Sequence, residues 1–215
     1  MAARSRGVEP ARGRVTGEKR GCEYGAVCFS HWDTKCRRCC YVVENLPHVL
    51  RSCKPHARAW QLHHNTVQDH LVRVIPAAAG EISVNCTIPG CESQMRPNIV
   101  IMNEEAKKVV IMDVTIPFEN RHQAFTNAQA RKQEKYTLLA DTLRGHGYNV
   151  MVDMLIVGTL GAWDPSNESV LHACCVSHCY TKLTRCLMVS NTICWSHNIY
   201  MEHITGHCQY SDPTR

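Results

Sequence analysis

The chain has 215 residues, a hydrophobic content of 44% and a formal net charge of +5. This length suffices for one well-packed domain and a small additional module. No apolar run approaches the roughly 20 residues of a membrane span, and residues 1–20 lack the apolar core of a secretory signal. The sequence therefore predicts an intracellular protein without a membrane partner. The modest positive charge is compatible with nucleic-acid binding but does not establish it.

Four segments differ in composition. Residues 1–20 hold six basic residues against two acidic ones, which indicates a flexible basic segment that contacts nucleic acid or, equally well, a terminus without a role. Residues 21–56 are rich in Cys and His and too short for a core of their own. The main domain is predicted over residues 57–190, and residues 191–215 are predicted to form a tail.

A small zinc module is predicted within residues 21–56. In a reducing compartment, clustered Cys and His bind zinc more often than they form disulfides. Two thiolates two residues apart can hold one side of a tetrahedral zinc, and a His and a Cys at a helix-turn spacing can close the other side. The four residues at this spacing are Cys36, Cys39, His48 and Cys53.

Other ligands compete for this predicted zinc. Cys40 adjoins the second thiol and His56 follows the fourth ligand by three residues, while a poorer second set is Cys22, Cys28 and His31. A group of thiols without metal, in a partly folded loop, is the alternative to a zinc site. Arg37 and Arg38 lie between ligands, where they can meet a phosphate or remain solvated surface charges.

The apolar spacing predicts the regular elements of the main domain. Helices are predicted over residues 57–75, 121–144 and 168–190. Strands are predicted over residues 98–102, 108–115 and 149–157, with a turn at Asn103-Glu104-Glu105. An Asn45-Leu46-Pro47 sequence favours a further helix start ahead of His48. The order of strands and helices argues for a mixed α/β core.

One carboxylate lies inside an apolar strand. Asp113 follows Val-Val-Ile-Met and precedes Val114, and a carboxylate buried there is costly without a metal or hydrogen-bond partners. Metal-dependent phosphodiester cleavage uses acidic ligands and a Lys that steadies developing charge. Asp113 is therefore the best catalytic candidate, although a structural pairing with a Lys is the alternative. Asn98 stands where a carboxylate would bind a divalent cation better than an amide does.

Further candidates follow in the sequence. Glu119 is either a second acidic ligand or the start of the next helix. Lys132 and Tyr136 share one face of the helix predicted over residues 121–144, and Lys135 lies one position around it. Each can reach over the sheet towards the carboxylate, or else serve as an ordinary surface Lys and a core Tyr.

The order of these motifs resembles the C-terminal region of the polyproteins of non-long-terminal-repeat (LINE-type) retrotransposons that carry a restriction-like endonuclease. The zinc-ligand spacing matches the knuckle of that family and is followed by His63-His64-Asn65. Arg96-Pro97-Asn98 matches its next motif, with Asn98 where the family has Asp. Asp113 comes after fourteen intervening residues, and a helix bearing Lys132, Lys135 and Tyr136 completes the match. The resemblance covers roughly residues 36–160.

This resemblance implies a PD-(D/E)xK restriction-endonuclease-like core preceded by a CCHC zinc knuckle. It implies magnesium-dependent nicking of a DNA target, whose 3′ end primes reverse transcription of the element RNA in the nucleus. The implied catalytic residues are Asn98, Asp113, Lys132, Lys135 and Tyr136. The implied magnesium ligands are Asp113 and Glu119. The implied nucleic-acid contacts are Arg37, Arg38, His63, His64 and Arg96.

Asn98 implies that cleavage is impaired. Losing a metal-binding carboxylate commonly costs orders of magnitude in rate, whereas the positive groups that hold the DNA backbone can remain. The alternative function is therefore a catalytically inactive, nucleic-acid-binding remnant that uses the zinc knuckle and the basic segment.

Overall fold

The structure is a computed structural model that describes residues 34–119 and 122–211. The basic segment 1–20 and the candidate ligands Cys22, Cys28 and His31 lie outside the described residues. The helices are α1 (Leu46–Arg51), α2 (Ala57–Val74), α3 (His122–Gly145), α4 (Asn167–Ala173) and α5 (His178–Thr205). The strands are β1 (Glu81–Val84), β2 (Ile99–Asn103), β3 (Lys108–Thr115) and β4 (Asn149–Ile156).

The four strands form one mixed sheet in the order β1-β2-β3-β4. β1 pairs with β2 and β2 with β3 in antiparallel register, whereas β3 and β4 run parallel. A parallel pair needs a crossover between its strands, and α3 supplies it. The predicted mixed α/β class is therefore confirmed.

Alternate residues of the strands face two different helical layers. Val110, Met112 and Val114 of β3 pack in a core that also contains Val67 and Leu71 of α2. The opposite face carries a second core, to which β3 contributes Val109 and Ile111, and α3 contributes Tyr136, Leu139, Ala140 and Leu143. Because β3 is buried on both faces, any polar side chain in it needs a partner.

The first helix begins as its sequence indicates. The Asn45 side-chain oxygen accepts a hydrogen bond from the His48 N–H at 2.9 Å, which caps α1, and Pro47 lies in the first turn. Side-chain oxygens at this position satisfy an N–H that has no partner inside the helix. The cap fixes the start of α1 and therefore places His48 on its first turn.

One predicted helix was wrong, and one strand was not predicted. The helix predicted over residues 168–190 is two helices, because the chain turns between α4 and α5 at Cys175, whose φ is 59°. β1 was missed because its four residues form a short edge strand, too short for its alternation of polar and apolar residues to give a clear signal. α5 also continues to Thr205, well into residues 191–215, which were predicted to form a tail.

Within the part of the chain that the structure describes, none of the helices combines the length and apolarity of a membrane span.

Candidate functional site

The four predicted zinc ligands lie together. The Sγ atoms of Cys36, Cys39 and Cys53 and a ring nitrogen of His48 are all within 4.8 Å of one another. Cys36 and Cys53 are buried, and their Sγ atoms lie 3.7 Å apart. Two sulfurs bound at 2.3 Å to a tetrahedral zinc would lie about 3.8 Å apart. This group, called the Cys cluster below, can therefore hold a metal such as zinc.

Local backbone structure brings the first two thiols together. The Cys40 N–H donates to the Cys36 carbonyl at 2.8 Å, and the Cys36 N–H donates to the Tyr41 carbonyl at 2.8 Å. Cys40 adopts a φ of 59°, a conformation that L residues seldom adopt. This tight turn folds the Cys36-x2-Cys39 segment back on itself and leaves the Cys40 side chain exposed on its outer side.

The electrostatics of the Cys cluster favour a bound cation. Burial raises the pKa of the Cys36 thiol, and burial together with the neighbouring Cys36 and Cys39 raises the pKa of Cys53. The Cys36 and Cys53 thiols therefore favour the protonated form without a cation, because thiolates would repel one another in a buried site. Metal ligation needs the thiolate form, and the metal charge supplies the missing compensation.

Two histidines and a glutamate adjoin the Cys cluster. His203, near the end of α5, places Nε2 at 3.9 Å from Cys36 Sγ and Nδ1 at 3.8 Å from Cys53 Sγ. His56 Nε2 lies 3.0 Å from His203 Nδ1, and Glu44 Oε2 lies 2.9 Å from His203 Nε2. Among the described residues, potential metal ligands also group as Cys53-His56-His203 and as Cys36-Glu44-His203.

The two arginines between the thiols make contacts within the protein. Arg37 donates from its backbone N–H and from Nε to the Glu44 carboxylate at 2.7 and 2.8 Å. The carboxylate accepts these bonds and one from His203, which outweigh burial and lower the pKa of Glu44 to about 2. Arg38 donates to the His203 and Glu202 carbonyls at 2.6 and 3.2 Å. Because these carbonyls end α5, Arg38 compensates the negative end of that helix.

A second polar group lies on the sheet under α3. Lys132 Nζ donates to Asp113 Oδ2, and the Asp113 residue is only 2% exposed. Burial and the adjacent Asp113 carboxylate raise the pKa of Tyr136, so its hydroxyl remains protonated. Lys135 Nζ donates to that hydroxyl at 2.8 Å. The structure thus brings together four of the five predicted catalytic residues.

Asn98 lies opposite Asp113 in the strand register, one residue before β2 begins. It directly precedes Ile99, which pairs with Met112 in antiparallel register. Asn98 Oδ1 accepts a hydrogen bond from the Val114 N–H at 2.8 Å and lies 3.3 Å from His64 Nε2. We call Asn98, Asp113, Lys132 and Tyr136 the sheet site.

The His64 side chain connects α2 to the sheet site. Its Nε2 lies 3.2 Å from the Val114 carbonyl as well as near the Asn98 amide oxygen. Both neighbours are acceptors, so Nε2 carries the hydrogen and donates to them. The preceding His63 is buried instead, with its ring stacked on Trp195 at 6.0 Å between centroids. Burial lowers the pKa of His63 to about 3.

The remaining predicted site residues lie apart from these contacts. Arg96 is exposed ahead of β2. The Glu119 carboxylate accepts hydrogen bonds from the N–H groups of Leu160 at 2.8 Å and Ala162 at 2.9 Å. A Cβ at Gly158 would collide with this carboxylate, so a glycine there allows the close approach. Glu119 thus organises the loop after β4.

The donor set of the sheet site does not fit magnesium as it stands. None of the three potential metal-ligand groups among the described residues includes Asp113 or Glu119. The Asp113 carboxylate is already compensated by Lys132, and the Asn98 amide adds no charge. Magnesium is usually held by carboxylates together with water and substrate phosphates.

No protein-family model matches this chain, and no curated protein is significantly similar to it.

Sequence reasoning missed His203 and Glu44. Neither residue belongs to the predicted pattern of three Cys and one His. Glu44 lies within that segment of the chain, whereas His203 is 150 residues beyond Cys53. One signal for His203 existed, because the buried face of α5 runs through Met188, Thr192, Ser196, Ile199 and His203. A His at the end of such a helical stripe is buried and must therefore find a polar partner.

Proposed function

We propose that this chain is a retrotransposon-derived, restriction-like DNA endonuclease domain in which cleavage is impaired at Asn98. The observation that carries the proposal is the buried Asp113 carboxylate on β3, held under Lys132 and Tyr136 of α3. Metal-dependent phosphodiester cleavage uses acidic ligands for the cation and a Lys that stabilises developing charge, and Asp113 and Lys132 supply one of each. The position opposite Asp113 in the strand register is Asn98, where the motif order leads us to expect a second carboxylate.

The proposed activity is the nicking of a nuclear DNA target to prime reverse transcription of the element RNA. In a site of this class with both carboxylates present, the acidic side chains would hold a divalent cation, whose chemistry is to polarise the phosphate and activate water. Lys132 would stabilise the negative charge that develops on the phosphate. Tyr136, kept protonated by burial and by Asp113, would hold that carboxylate in place.

The state of Asn98 supports impaired cleavage. Its amide oxygen accepts the Val114 N–H, and its Nδ2 donates to Asn85 Oδ1 at 3.2 Å. The side chain thus closes the end of the β2–β3 pair by hydrogen bonding instead of adding negative charge. An aspartate has almost the same shape, so one oxygen can keep the Val114 bond, and the other would take the place of Nδ2 next to Asn85. The substitution would add a negative charge at the position opposite Asp113 in the strand register.

A catalytically inactive nucleic-acid-binding domain is the second candidate. It is favoured by the Lys132–Asp113 ion pair, which leaves the Asp113 carboxylate compensated without a metal. Lys135, next to Tyr136, and Arg96, two residues before Asn98 in the chain, are both exposed and would be available to a phosphate backbone. The predicted contacts through Arg37 and Arg38 are weaker candidates, since both are engaged within the protein.

The experiment is a plasmid-nicking assay with magnesium or manganese on the full chain and on Asn98→Asp. We expect no nicking above background by the natural chain and nicking by Asn98→Asp. The double variant Asn98→Asp/Asp113→Ala is the matched control and should be inactive. Inactivity of Asn98→Asp, with the chain still folded and still retarding DNA in a gel, would reject the impaired nuclease and leave DNA binding as the function.

A further inference from the structure

We propose that the protein binds a second divalent cation next to the Cys cluster, through Cys53, His56 and His203. The ligand atoms of these three residues lie within 4.8 Å of one another. The residues are 0%, 2% and 1% exposed, respectively. The site joins the segment before α2 to the end of α5, and it uses His203, which the zinc-knuckle spacing does not include.

The orientation of His203 supports coordination through Nδ1. Its Nε2 lies 2.9 Å from Glu44 Oε2, and a carboxylate oxygen can only accept there, so Nε2 carries the hydrogen. Nδ1 then presents its lone pair towards His56 Nε2 at 3.0 Å and Cys53 Sγ at 3.8 Å. A metal-binding His commonly donates its other ring N–H to a carboxylate, which fixes the tautomer and the ring orientation.

His56 repeats this arrangement with a different carboxylate. Its Nε2 faces His203 Nδ1, while its Nδ1 lies 3.8 Å from Glu202 Oε2. Both His56 Nδ1 and Glu202 Oε2 are buried without a hydrogen-bond partner. A cation bound at His56 Nε2 would place the hydrogen on Nδ1, facing the Glu202 carboxylate. At 3.8 Å the two atoms are not hydrogen-bonded, but with the hydrogen on Nδ1 they would attract each other instead of repelling.

Cys53 belongs to both ligand groups. Cys36, Cys39 and His48 remain for the ion of the Cys cluster, and the Cys53 thiolate would bridge the two ions. One thiolate and two imidazoles suit zinc or cobalt better than magnesium or calcium, which prefer oxygen ligands. The proposal does not depend on the nuclease function, because none of its residues belongs to the sheet site.

Zinc counting on the full chain tests the proposal. The protein is purified with zinc, stripped of loosely held metal on a chelating resin, and measured by elemental analysis and native mass spectrometry. We expect two zinc ions per natural chain and one per His203→Asn chain. His197→Asn is the matched control, because His197 is exposed on the same helix, and it should keep two ions.

A natural chain that holds one zinc ion or none would overturn the proposal, and so would a His203→Asn chain that still holds two. If His203→Asn fails to fold, a cobalt titration of the natural chain decides. Two successive equivalents with different visible absorption bands are expected, because the two ligand sets contain different numbers of thiolates. Saturation after one equivalent would refute the second site.

Discussion

The Cys cluster and the sheet site bury polar groups in opposite ways. In the Cys cluster, three thiols and an imidazole converge, while the cations nearby, Arg37 and Arg38, point to Glu44 and to the end of α5. In the sheet site, a single carboxylate is buried and Lys132 already lies against it. In the Cys cluster the two arginine side chains are directed at other groups than the thiols, so an added ion is needed to balance the thiols as thiolates. In the sheet site, the Lys132 side chain already supplies the positive charge that balances Asp113.

This difference separates what each region needs in order to fold. A converging set of metal ligands is stable only with its ion, since metal binding and folding are coupled. A buried ion pair needs no ion, although removing one partner leaves an uncompensated charge. The comparison predicts that metal removal damages the Cys cluster and leaves the sheet site intact. Four experiments test that contrast.

The largest effect is expected for Cys53→Ser. It removes a buried ligand of the Cys cluster and should abolish the stabilisation that zinc gives, about 4 kcal/mol at a thousand times the dissociation constant. Thermal unfolding with and without a chelator measures this loss. Cys194→Ser, at an exposed thiol of α5, is the control and should melt like the natural chain. Equal melting of both variants would contradict a structural metal.

Lys132→Met should produce the next largest effect. It leaves the Asp113 carboxylate buried without its cation, and breaking a buried pair costs about 3 kcal/mol. Urea unfolding measures the change in free energy. Lys135→Met serves as the control, because that exposed Lys only donates to the Tyr136 hydroxyl, and it should cost about 1 kcal/mol or less. Similar losses in the two variants would show that Lys132 does not compensate Asp113.

Asn98→Asp should convert the sheet site into one that responds to a metal. With two neighbouring carboxylates, magnesium at ten times its dissociation constant should stabilise the variant by about 1.4 kcal/mol. The natural chain should show no such response. Thermal melting at several magnesium concentrations tests this. The control is Asn98→Asp/Asp113→Asn, which has the same net charge as the natural chain and a single carboxylate. A natural chain that magnesium stabilises as strongly would remove the contrast between the two regions.

The smallest effect concerns His63, on α2 between the two regions in sequence. Its pKa is lowered to about 3 by burial, against about 6.5 in the unfolded chain. The neutral, buried His63 therefore makes its full contribution to the free energy of unfolding above pH 6.5. This contribution is lost as the pH falls from 6.5 towards 3, because the unfolded chain gains a proton that the folded chain does not. Between pH 6.5 and 5.5 the loss should be about 1 kcal/mol.

His63→Phe checks this pH dependence, since an aromatic ring can still stack on Trp195 and cannot gain a proton. Urea unfolding of both chains at the two pH values gives the difference directly. A natural chain whose stability changes no more than that of His63→Phe would show that His63 is not buried in its neutral form.

The local elements were the predictable part of this fold. β3 spans the predicted residues 108–115, and α2, α3 and β4 begin and end within one residue of their predictions. Each has a clear apolar period or a clear stop signal. The turn between α4 and α5 was not predictable, because apolar residues continue across it at helical spacing and Cys175 takes a positive φ without being a glycine.

The sites divide in the same way. The Cys cluster followed from ligand spacing, which depends on residues 36–53 alone. The contact of Lys132 with Asp113 was one of two alternatives left open by the sequence, because Lys132 lies on a predicted helix face that could reach over the sheet. The approach of His203 to Cys53 depends on how α5 packs against α1 and α2, and no local pattern encodes that packing. The interior position of His63 likewise became apparent only with its neighbour Trp195 on α5.

The position of His203 has a consequence for biosynthesis. Cys36 and His203 are 167 residues apart in the chain, so the thiols leave the ribosome long before their partner on α5 has been made. Throughout that interval the Cys cluster is open on the side that α5 later covers. A nascent chain would therefore take up metal at Cys36, Cys39, His48 and Cys53 first, and the arrival of α5 would then close the centre against exchange with the surrounding metal pool.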